Sequence, residues 1–253
     1  MFHSVRLLAA AASVTLLTAG APVQAQSFSD AQRQEIERIM RDYLLRHPEV
    51  LQEVVGELEK RQAAADADRQ KGAISQYRDA LFNSKHQVTL GNPQGDATVV
   101  EFFDYNCGYC KRALADKLAL LKSDPKLRLV LKEFPVLGPG SIEAAQVSIA
   151  ARMQDPGGKK FIDFHQKLLS SRGQVDRARA LAVAKETGLD MARLESDLKS
   201  DEVRESLEEV MRMAEGLGIN GTPTYVVGET VIPGAVGAAT LRKQIEAQRK
   251  QPR

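Results

Sequence analysis

The chain contains only two cysteines, Cys107 and Cys110, and two residues separate them. They follow the apolar run 98–103 and precede a stretch rich in alanine and leucine with helical spacing. A strand that leads directly into a helix places a residue at the helix N-terminus, where backbone amides and the helix dipole stabilise an anion. The pattern therefore predicts a strand–helix junction that carries a reactive thiolate, with thiol–disulfide exchange as its chemistry.

Other roles for a cysteine pair fit this spacing poorly. A structural disulfide across two residues closes a very short loop and constrains the unfolded chain little. A structural zinc site needs four ligands, and the histidines beyond residue 25, His47, His86 and His165, have no paired spacing. The formal net charge of +2, without an extended basic patch, gives no support for a nucleic-acid partner. We predict no metal and no cofactor other than the redox-active disulfide Cys107–Cys110.

The first 25 residues have the features of a cleaved signal peptide. His3 and Arg6 give a weakly basic start, and an apolar stretch follows over 7–19. Val23 and Ala25 provide small residues before the cleavage site, which we place after Ala25. The alternative is a retained anchor, but the apolar stretch is short for a membrane span. We therefore expect a mature protein that is exported to the periplasm.

Changes in composition divide the rest of the chain into three parts. Residues 26–58 have two helical apolar stripes, interrupted at His47-Pro48 because a proline disfavours helical geometry in the residue before it. Residues 59–85 predict a charged helical linker, in which we propose a hinge at 59–71. Residues 86–253 predict a catalytic domain of the α/β class. The stripe residues of the first part are Ile36, Ile39, Met40, Tyr43, Leu44, Val50, Leu51, Val54, Val55 and Leu58.

Two short amphipathic helices bury little apolar surface against each other. We therefore expect 26–58 to be an oligomerisation segment, in which stripes from several chains form a bundle. A trimer is the first expectation and a dimer the second. The alternative is that the stripes pack on the catalytic domain of their own chain, but the long polar linker favours self-association.

The pattern within 86–253 alternates strands and helices before it becomes helical. Three strands and one helix form a predicted βαβ unit, with the strands at 87–90, 98–103 and 127–134 and the helix at 110–121. Residues 139–216 are predicted to be helical throughout. Two strands of a hairpin, at 224–227 and 230–232, and a helix at 238–249 complete the chain.

This order of elements resembles the thioredoxin fold, and the helical insertion at about 139–216 resembles the DsbA branch of that fold. Three motifs carry the resemblance over about 86–250: FFDYNCGYC at 102–110, KEFP at 132–135 and GTPT at 221–224. The N-terminal helices resemble those of ScsC-type proteins, the suppressor-of-copper-sensitivity group, some of which oligomerise through such a segment. The resemblance implies an enzyme, a protein disulfide oxidoreductase most similar to the ScsC-type disulfide isomerases.

The same resemblance implies roles for the cysteine motif. Cys107 is expected to be the exposed nucleophile with a lowered pKa, and Cys110 to resolve the mixed disulfide. Gly108 and Tyr109 are expected to tune the redox potential. Because Tyr109 cannot carry a positive charge, we expect a less oxidising couple than in family members with Cys-Pro-His-Cys.

Pro223 matches the family's cis-proline in the loop that faces the cysteines. The backbone of Thr222 is then expected to bind an extended substrate segment like an added strand. From the dipeptide alone, the alternative is an ordinary trans turn before a strand.

Glu101, six residues before Cys107, matches the family's buried acid beneath the active site. It is expected to exchange a proton with Cys110, and Lys132 on the neighbouring strand is its expected charge partner. His165 is interpreted as part of the surface or core of the helical insertion and not as a catalytic residue.

Three functions remain open at this point. The first is an oligomeric disulfide isomerase or reductase, and the second is a monomeric DsbA-like dithiol oxidase. The third is a periplasmic copper-tolerance protein that binds Cu(I) through Cys107 and Cys110, since Cu(I) prefers sulfur ligands. The expected partners are exported proteins with cysteines and a membrane redox partner that reduces or oxidises the cysteine pair.

Overall fold

The computed structural model of the protein describes residues 28–155 and 158–250. The predicted signal peptide, residues 1–25, lies outside these residues. These residues divide into two units, and the boundary lies between Glu59 and Lys60.

The first unit contains helix α1 (Asp30–Arg46) and the beginning of helix α2 (Glu49–Gln76). Ser29 starts α1 with a capping box: its Oγ accepts a hydrogen bond from the Gln32 N–H at 3.3 Å, and the Gln32 side chain accepts one from the Ser29 N–H at 2.9 Å. The break predicted at His47-Pro48 separates the two helices. Local sequence signals thus account for the start of α1 and for the break between α1 and α2.

The apolar stripes of this unit are exposed. No residue of α1 is buried, and the stripe residues are 36% exposed at Leu44 to 60% exposed at Leu58, except for Val50, which is half-buried. Exposed apolar stripes of this length are characteristic of association surfaces. Self-association of this segment nevertheless stays a prediction.

The charged tract 59–71 lies inside α2, which is a single uninterrupted helix from Glu49 to Gln76. The prediction that this tract is helical is therefore confirmed. The hinge proposed at 59–71 stays a prediction.

The second unit is built on one five-stranded sheet with the strand order β1-β3-β2-β4-β5. Its strands are β1 (Val88–Gly91), β2 (Ala97–Phe103), β3 (Leu127–Glu133), β4 (Thr224–Val227) and β5 (Thr230–Pro233). Strands β2 and β3 are parallel, as predicted for a βαβ unit, and the other neighbouring pairs are antiparallel. Strand β2 therefore lies between β3 and β4, so both of its edges are paired.

The helices of this unit follow the sequence prediction closely. The predicted insertion at 139–216 consists of five helices, and the last helix follows the β4–β5 hairpin. The helices after α2 are α3 (Arg78–Phe82), α4 (Gly108–Ser123), α5 (Pro139–Gln154), α6 (Lys159–Leu169), α7 (Arg177–Glu186), α8 (Met191–Asp197), α9 (Asp201–Gly216) and α10 (Gly237–Lys250).

The sheet carries a separate hydrophobic core on each face. Because side chains alternate along a strand, Val99 and Phe103 of β2 enter one core, and Val100 and Phe102 enter the other. The first core contains residues of α4, α6 and α10, and the second contains residues of α2, α3 and α9. In β2 and β3, the buried apolar residues with odd numbers therefore enter the first core, and those with even numbers enter the second.

The second core corrects the predicted domain boundary at residue 86. Ile74 at the end of α2 and Leu81 in α3 are buried against Phe102 and Val130 of the sheet. The second unit accordingly begins at Lys60 and not at residue 86. The sequence gives this tract a helical apolar spacing, but the surface that it covers comes from strands far along the chain.

We predict that Leu81→Ala lowers the free energy of unfolding of the whole protein by about 2–5 kcal/mol, because it opens a cavity in the second core. Leu81 is 0% exposed, whereas Leu137, the matched control, is 52% exposed. Urea unfolding of both variants measures the difference. Equal midpoints for Leu81→Ala and Leu137→Ala would contradict the placement of Leu81 in the core.

Candidate active site

Cys107 lies at the junction between the end of β2 and the start of α4. It is the N-cap residue of α4, and its Sγ accepts a hydrogen bond from the Cys110 N–H at 3.4 Å. Its own N–H donates to the Asp104 carbonyl at 3.1 Å, which closes the turn after β2. The thiol therefore occupies the N-cap position, where helix amides stabilise a negative charge.

The structure corrects the expected exposure of the nucleophile. Cys107 is 5% exposed and Cys110 is 0% exposed, and both are free thiols. The expected order of exposure is retained, but Cys107 is a buried residue and not an exposed one. The reason is the loop before β4, since the Cys107 Sγ lies 3.0 Å from the Thr222 carbonyl oxygen.

The pKa values of the two thiols are shifted in opposite directions. The pKa of Cys107 is lowered from 9.0 to about 5, first by a hydrogen bond from the Cys110 thiol and further by the Thr222 side chain and the backbone N–H groups of Cys110 and Tyr109, while burial opposes the shift. The pKa of Cys110 is raised by its hydrogen bond to Cys107, by burial and by the negative charge of Glu101. The Thr222 carbonyl can accept a hydrogen bond only from the protonated Cys107 thiol. The site thus favours the thiolate form of Cys107 and the protonated form of Cys110, so Cys110 needs a base that removes its proton before it can attack.

The peptide bond between Thr222 and Pro223 is cis, the isomer expected from the resemblance. Pairing of Phe102 with Thr224 in the β2–β4 ladder brings this loop to the end of β2. The Thr224 hydroxyl donates to the Gly221 carbonyl at 2.7 Å and closes the loop. Binding of a substrate segment to the Thr222 backbone stays a prediction.

Glu101 is fully buried in β2, and its partner is Lys117 of α4. The Lys117 Nζ lies 2.9 Å from Oε1 and 2.7 Å from Oε2 of the carboxylate. Burial raises the pKa of Glu101, Lys117 opposes that shift, and the negative charge of Cys107 adds to it. The result is a buried base beneath the cysteines, held by one cation.

The expected pairing of Glu101 with Lys132 is wrong. In the parallel ladder Glu101 is aligned with Leu131, and Lys132 with Phe102, so the two side chains enter opposite faces of the sheet. The Lys132 Nζ instead donates to the Ala80 carbonyl at 2.6 Å and lies 3.8 Å from Glu209. Burial lowers the pKa of Lys132 to about 8.

A sequence signal for Lys117 exists but is weak. Lys117 lies seven residues after Cys110, which is two helical turns, and therefore on the same face of α4. Ala113 and Leu114 of that face are buried. A lysine on the apolar stripe of a helix indicates a buried charge that needs a partner.

Asp104 and Asn106 connect the cysteine turn to the helical insertion. The Asp104 carboxylate accepts hydrogen bonds from the N–H groups of Asn106, Val136 and Leu137 and from the Ser141 hydroxyl, at 2.7 to 3.1 Å. The Asn106 side chain donates to the Val175 carbonyl at 2.8 Å and accepts from the Val175 N–H at 2.7 Å. These bonds tie the cysteine turn to the helical insertion.

Gly108 and Tyr109, between the cysteines, differ in what they contact. Tyr109 is 60% exposed, and the Arg112 guanidinium carbon lies 4.2 Å from the centre of its ring. A Cβ added at Gly108 would meet only Arg112, at 3.8 Å. Space therefore does not require a glycine here, and the tuning role of both residues stays a prediction.

Within residues 28–155 and 158–250, no group of three or more histidine, cysteine, aspartate or glutamate side chains is arranged to hold a metal ion. A Cu(I) ion at this site would have Cys107 and Cys110 as its protein ligands.

Comparison with known families gives two matches. The model of the DsbA-like thioredoxin domain matches residues 98–246. The model of the N-terminal domain of copper resistance protein ScsC matches residues 32–65. The two matches correspond to the cysteine-bearing domain and to the exposed helices that precede it.

Two solved structures and one curated protein are similar to this chain and support the match to the DsbA-like thioredoxin domain. A thioredoxin-like oxidoreductase from Silicibacter pomeroyi DSS-3 is 43% identical, with 69% of this chain and 99% of that chain covered and a TM-score of 0.65. Proteus mirabilis ScsC in a transitional conformation is 29% identical, with 88% and 97% covered and a TM-score of 0.64. Disulfide bond formation protein D of Bacillus subtilis is 30% identical over 181 residues, which are 66% of this chain and 78% of that protein. The predicted thioredoxin fold with a DsbA-like insertion is confirmed.

Other curated relatives are much longer than the region that they share with this chain. The Na(+)/H(+) antiporter NhaA of Herminiimonas arsenicoxydans is 32% identical over 165 residues, which are 64% of this chain but only 26% of the antiporter. Among the residues that the structure describes, no helix is long and apolar enough to cross a membrane. From the match over residues 98–246, the chain belongs to the DsbA-like thioredoxin-domain family of thiol–disulfide oxidoreductases.

Proposed function

We propose that this protein catalyses thiol–disulfide exchange on exported, cysteine-containing proteins in the periplasm, acting as a homo-oligomeric disulfide isomerase or reductase. The observation that carries the proposal is that the pKa values of the two thiols are shifted in opposite directions. The pKa of Cys107 is lowered to about 5, whereas that of the buried Cys110 is raised. A nucleophile that is ionised at neutral pH beside a protonated resolving thiol is the arrangement that exchange requires.

The reaction begins with attack of the Cys107 thiolate on one sulfur of a substrate disulfide. A bond forms between Cys107 and the substrate, the substrate disulfide breaks, and one substrate thiolate leaves. In isomerisation, another substrate thiolate attacks the mixed disulfide and releases Cys107. In reduction, Cys110 attacks Cys107, the Cys107–Cys110 disulfide forms and the second substrate thiolate leaves.

The resolving step requires Cys110 to lose its proton. Glu101 is the base that we propose, because it is a buried carboxyl with a raised pKa whose charge acts on the Cys110 thiol. The Lys117 ammonium opposes the rise that burial causes in the pKa of this carboxyl and so favours its ionised form. The pair therefore supplies a proton acceptor without opening the site to water.

The exposed stripes of α1 and α2 support the oligomer. A bundle formed by several chains would cover them and would present several Cys107 sites to one misfolded substrate. We propose a trimer first and a dimer second. A membrane redox partner is then needed to keep the cysteine pair reduced.

Two alternatives remain with this proposal. A monomeric dithiol oxidase uses the same cysteines but needs no association surface. A Cu(I)-binding copper-tolerance protein is favoured by the match to the ScsC N-terminal domain, which is named for copper resistance. Stoichiometric Cu(I) binding by Cys107 and Cys110 in the presence of competing thiols would support the copper role.

We predict that the pKa of Cys107, followed by the ultraviolet absorbance of the thiolate, is about 5 in the reduced protein. Cys110→Ala should raise it, since the Cys110 thiol is the largest stabiliser of the thiolate. Because the pKa is depressed on folding, the thiolate contributes stability that is complete above pH 9.0 and is lost as the pH falls towards 5. Urea unfolding relative to Cys107→Ser checks this sign. An unchanged pKa in Cys110→Ala would contradict the assignment.

We predict that Lys117→Met destabilises the protein by about 3–5 kcal/mol at neutral pH, because it leaves the buried Glu101 carboxylate unpaired. The loss should shrink as the pH falls, since protonated Glu101 needs no cation. Adding Glu101→Leu should recover most of the loss, because both charges are then absent. The matched control is Lys132→Met on the opposite face, whose cost Glu101→Leu should not recover. Recovery in both cases would contradict the Glu101–Lys117 pairing.

We predict that the double variant Ile39→Lys/Val55→Lys is monomeric by light scattering, whereas the wild type is an oligomer. The two substitutions place charges in the exposed stripes, and Glu37→Lys in α1 is the control for added positive charge. The monomer should still oxidise dithiol peptides but should lose the ability to refold a protein with scrambled disulfides. A monomeric wild type would instead favour the oxidase.

A further inference from the structure

Helix α4 carries two cations directly after the cysteines. Lys111 and Arg112 follow Cys110, and the first turn of α4 contains no acidic residue. The N-terminus of a helix has a partial positive charge, so positive side chains near it are unfavourable and negative ones are favoured. Residues that break such a local rule are expected at functional sites. Helix stability therefore does not explain these two charges.

Lys111 has a structural role. Its Nζ donates to the Ser171 carbonyl at 2.9 Å and to the Gly173 carbonyl at 3.4 Å, in the segment between α6 and α7. It thus ties α4 to the helical insertion. Arg112 has no such anchor, because it makes no hydrogen bond or ion pair with any residue that the structure describes.

The Arg112 side chain lies against the dipeptide between the cysteines. Its guanidinium carbon is 4.2 Å from the centre of the Tyr109 ring, and its Nη1 is 3.8 Å from the place of a Cβ at Gly108. Gly108 is the residue next to Cys107, and both Tyr109 and Arg112 are exposed. A guanidinium that is stacked on an aromatic ring keeps its charge and can still donate hydrogen bonds to a ligand.

The carboxylates near the cysteines do not neutralise Arg112. Glu101 is buried and paired with Lys117. Asp104 is also buried, and its oxygens accept hydrogen bonds from neutral groups. Asp116, one turn after Arg112, forms no ion pair with it in the described part of the chain. An unpaired positive charge therefore lies at the exposed edge of the site.

We propose that Arg112, oriented by the Tyr109 ring, is a specificity-determining residue that favours substrates with a carboxylate close to their reactive disulfide. The proposal rests on the exchange function proposed above and adds a substrate preference to it. A disulfide that reaches Cys107 brings its flanking groups next to Gly108, and hence next to the guanidinium. A charge at the edge of a binding site acts mainly on the rate of encounter and on the choice of partner.

The preference concerns the first step of the exchange. The Cys107 thiolate attacks one sulfur of the substrate disulfide, a bond forms between the two sulfurs, the substrate S–S bond breaks, and one substrate thiolate leaves. That thiolate takes a proton from water, and no further oxidant or reductant is needed. A carboxylate that pairs with Arg112 raises the local concentration of the disulfide at Cys107.

The test compares two small disulfides of opposite charge at low ionic strength. The reduced full-length protein reacts either with oxidised glutathione, whose net charge is negative, or with cystamine, whose net charge is positive. Loss of the reduced protein is followed by mass after an acid quench. The ratio of the two rates cancels any change in the reactivity of Cys107 itself, because both disulfides react with the same thiolate.

In Arg112→Met we expect the ratio of the glutathione rate to the cystamine rate to fall by roughly threefold or more, the effect of an exposed ion pair. Arg112→Lys keeps the charge and should retain most of the preference. High salt should reduce the difference between Arg112→Met and the wild type, since it screens exposed charges.

The matched control is Lys122→Met. Lys122 is an exposed cation in the last turn of the same helix, so this substitution removes the same charge far from the cysteines. It should leave the ratio of the two rates unchanged. An equal fall in Lys122→Met would overturn the proposal, because the effect would then come from the net charge of the protein.

The part of the Tyr109 ring is tested separately. Tyr109→Phe keeps the ring against the guanidinium and should keep the wild-type ratio. Tyr109→Leu removes the ring and should lower the ratio, but less than Arg112→Met does, since the charge remains. Equal ratios in Tyr109→Phe and Tyr109→Leu would overturn the orienting role of the ring.

Failure of this preference and failure of the proposed function give different results. A wild type that reacts with neither disulfide would contradict the proposed function itself. A wild type that reacts with both disulfides, together with an Arg112→Met variant of the same ratio at low ionic strength, would overturn only the preference. Arg112 is exposed, so its substitution leaves the hydrophobic cores intact.

Discussion

Strand β2 runs between β3 and β4, and the alternation of its side chains decides where the ionisable groups of the site lie. Glu101 enters the same face as Phe103, beneath the helix that begins at Cys107. A shift of one residue in the pairing of β2 and β3 would move the carboxylate to the opposite core. The register of two parallel strands is therefore the constraint on which the acid–base chemistry depends.

The same alternation in β3 separates two neighbouring charges. Lys132 enters the core with α3 and α9, whereas Glu133 enters the other face and meets Ser148 of α5. Each buried charge has hydrogen-bond partners on its own face, as the cost of burying an ion requires. The acids Glu101 and Glu133 thus lie on one side of the sheet, and the cluster of Lys132 and Glu209 lies on the other.

The helix N-terminus and the loop before β4 both act on Cys107. The Cys110 thiol, the Thr222 side chain and the helix amides favour its thiolate, while the Thr222 carbonyl accepts a hydrogen bond only from the thiol and covers the residue. A substrate segment that binds to this loop would therefore change both the access to Cys107 and its proton affinity. The N-cap position in α4 therefore does not by itself determine the access to Cys107 or its pKa.

Local sequence patterns determined much of this protein: the cysteine pair between a strand and a helix, the capping box at Ser29, the parallel βαβ unit and the helical insertion at 139–216. Each of these features depends on residues close together in the chain. The tertiary structure alone decided the pairing of Glu101 with Lys117, the cover of Cys107 by Thr222 and the burial of Leu81. The Cys107 and Thr222 partners lie 115 residues apart. Strand register and helix packing bring such groups together, and no periodicity within one element encodes that distance.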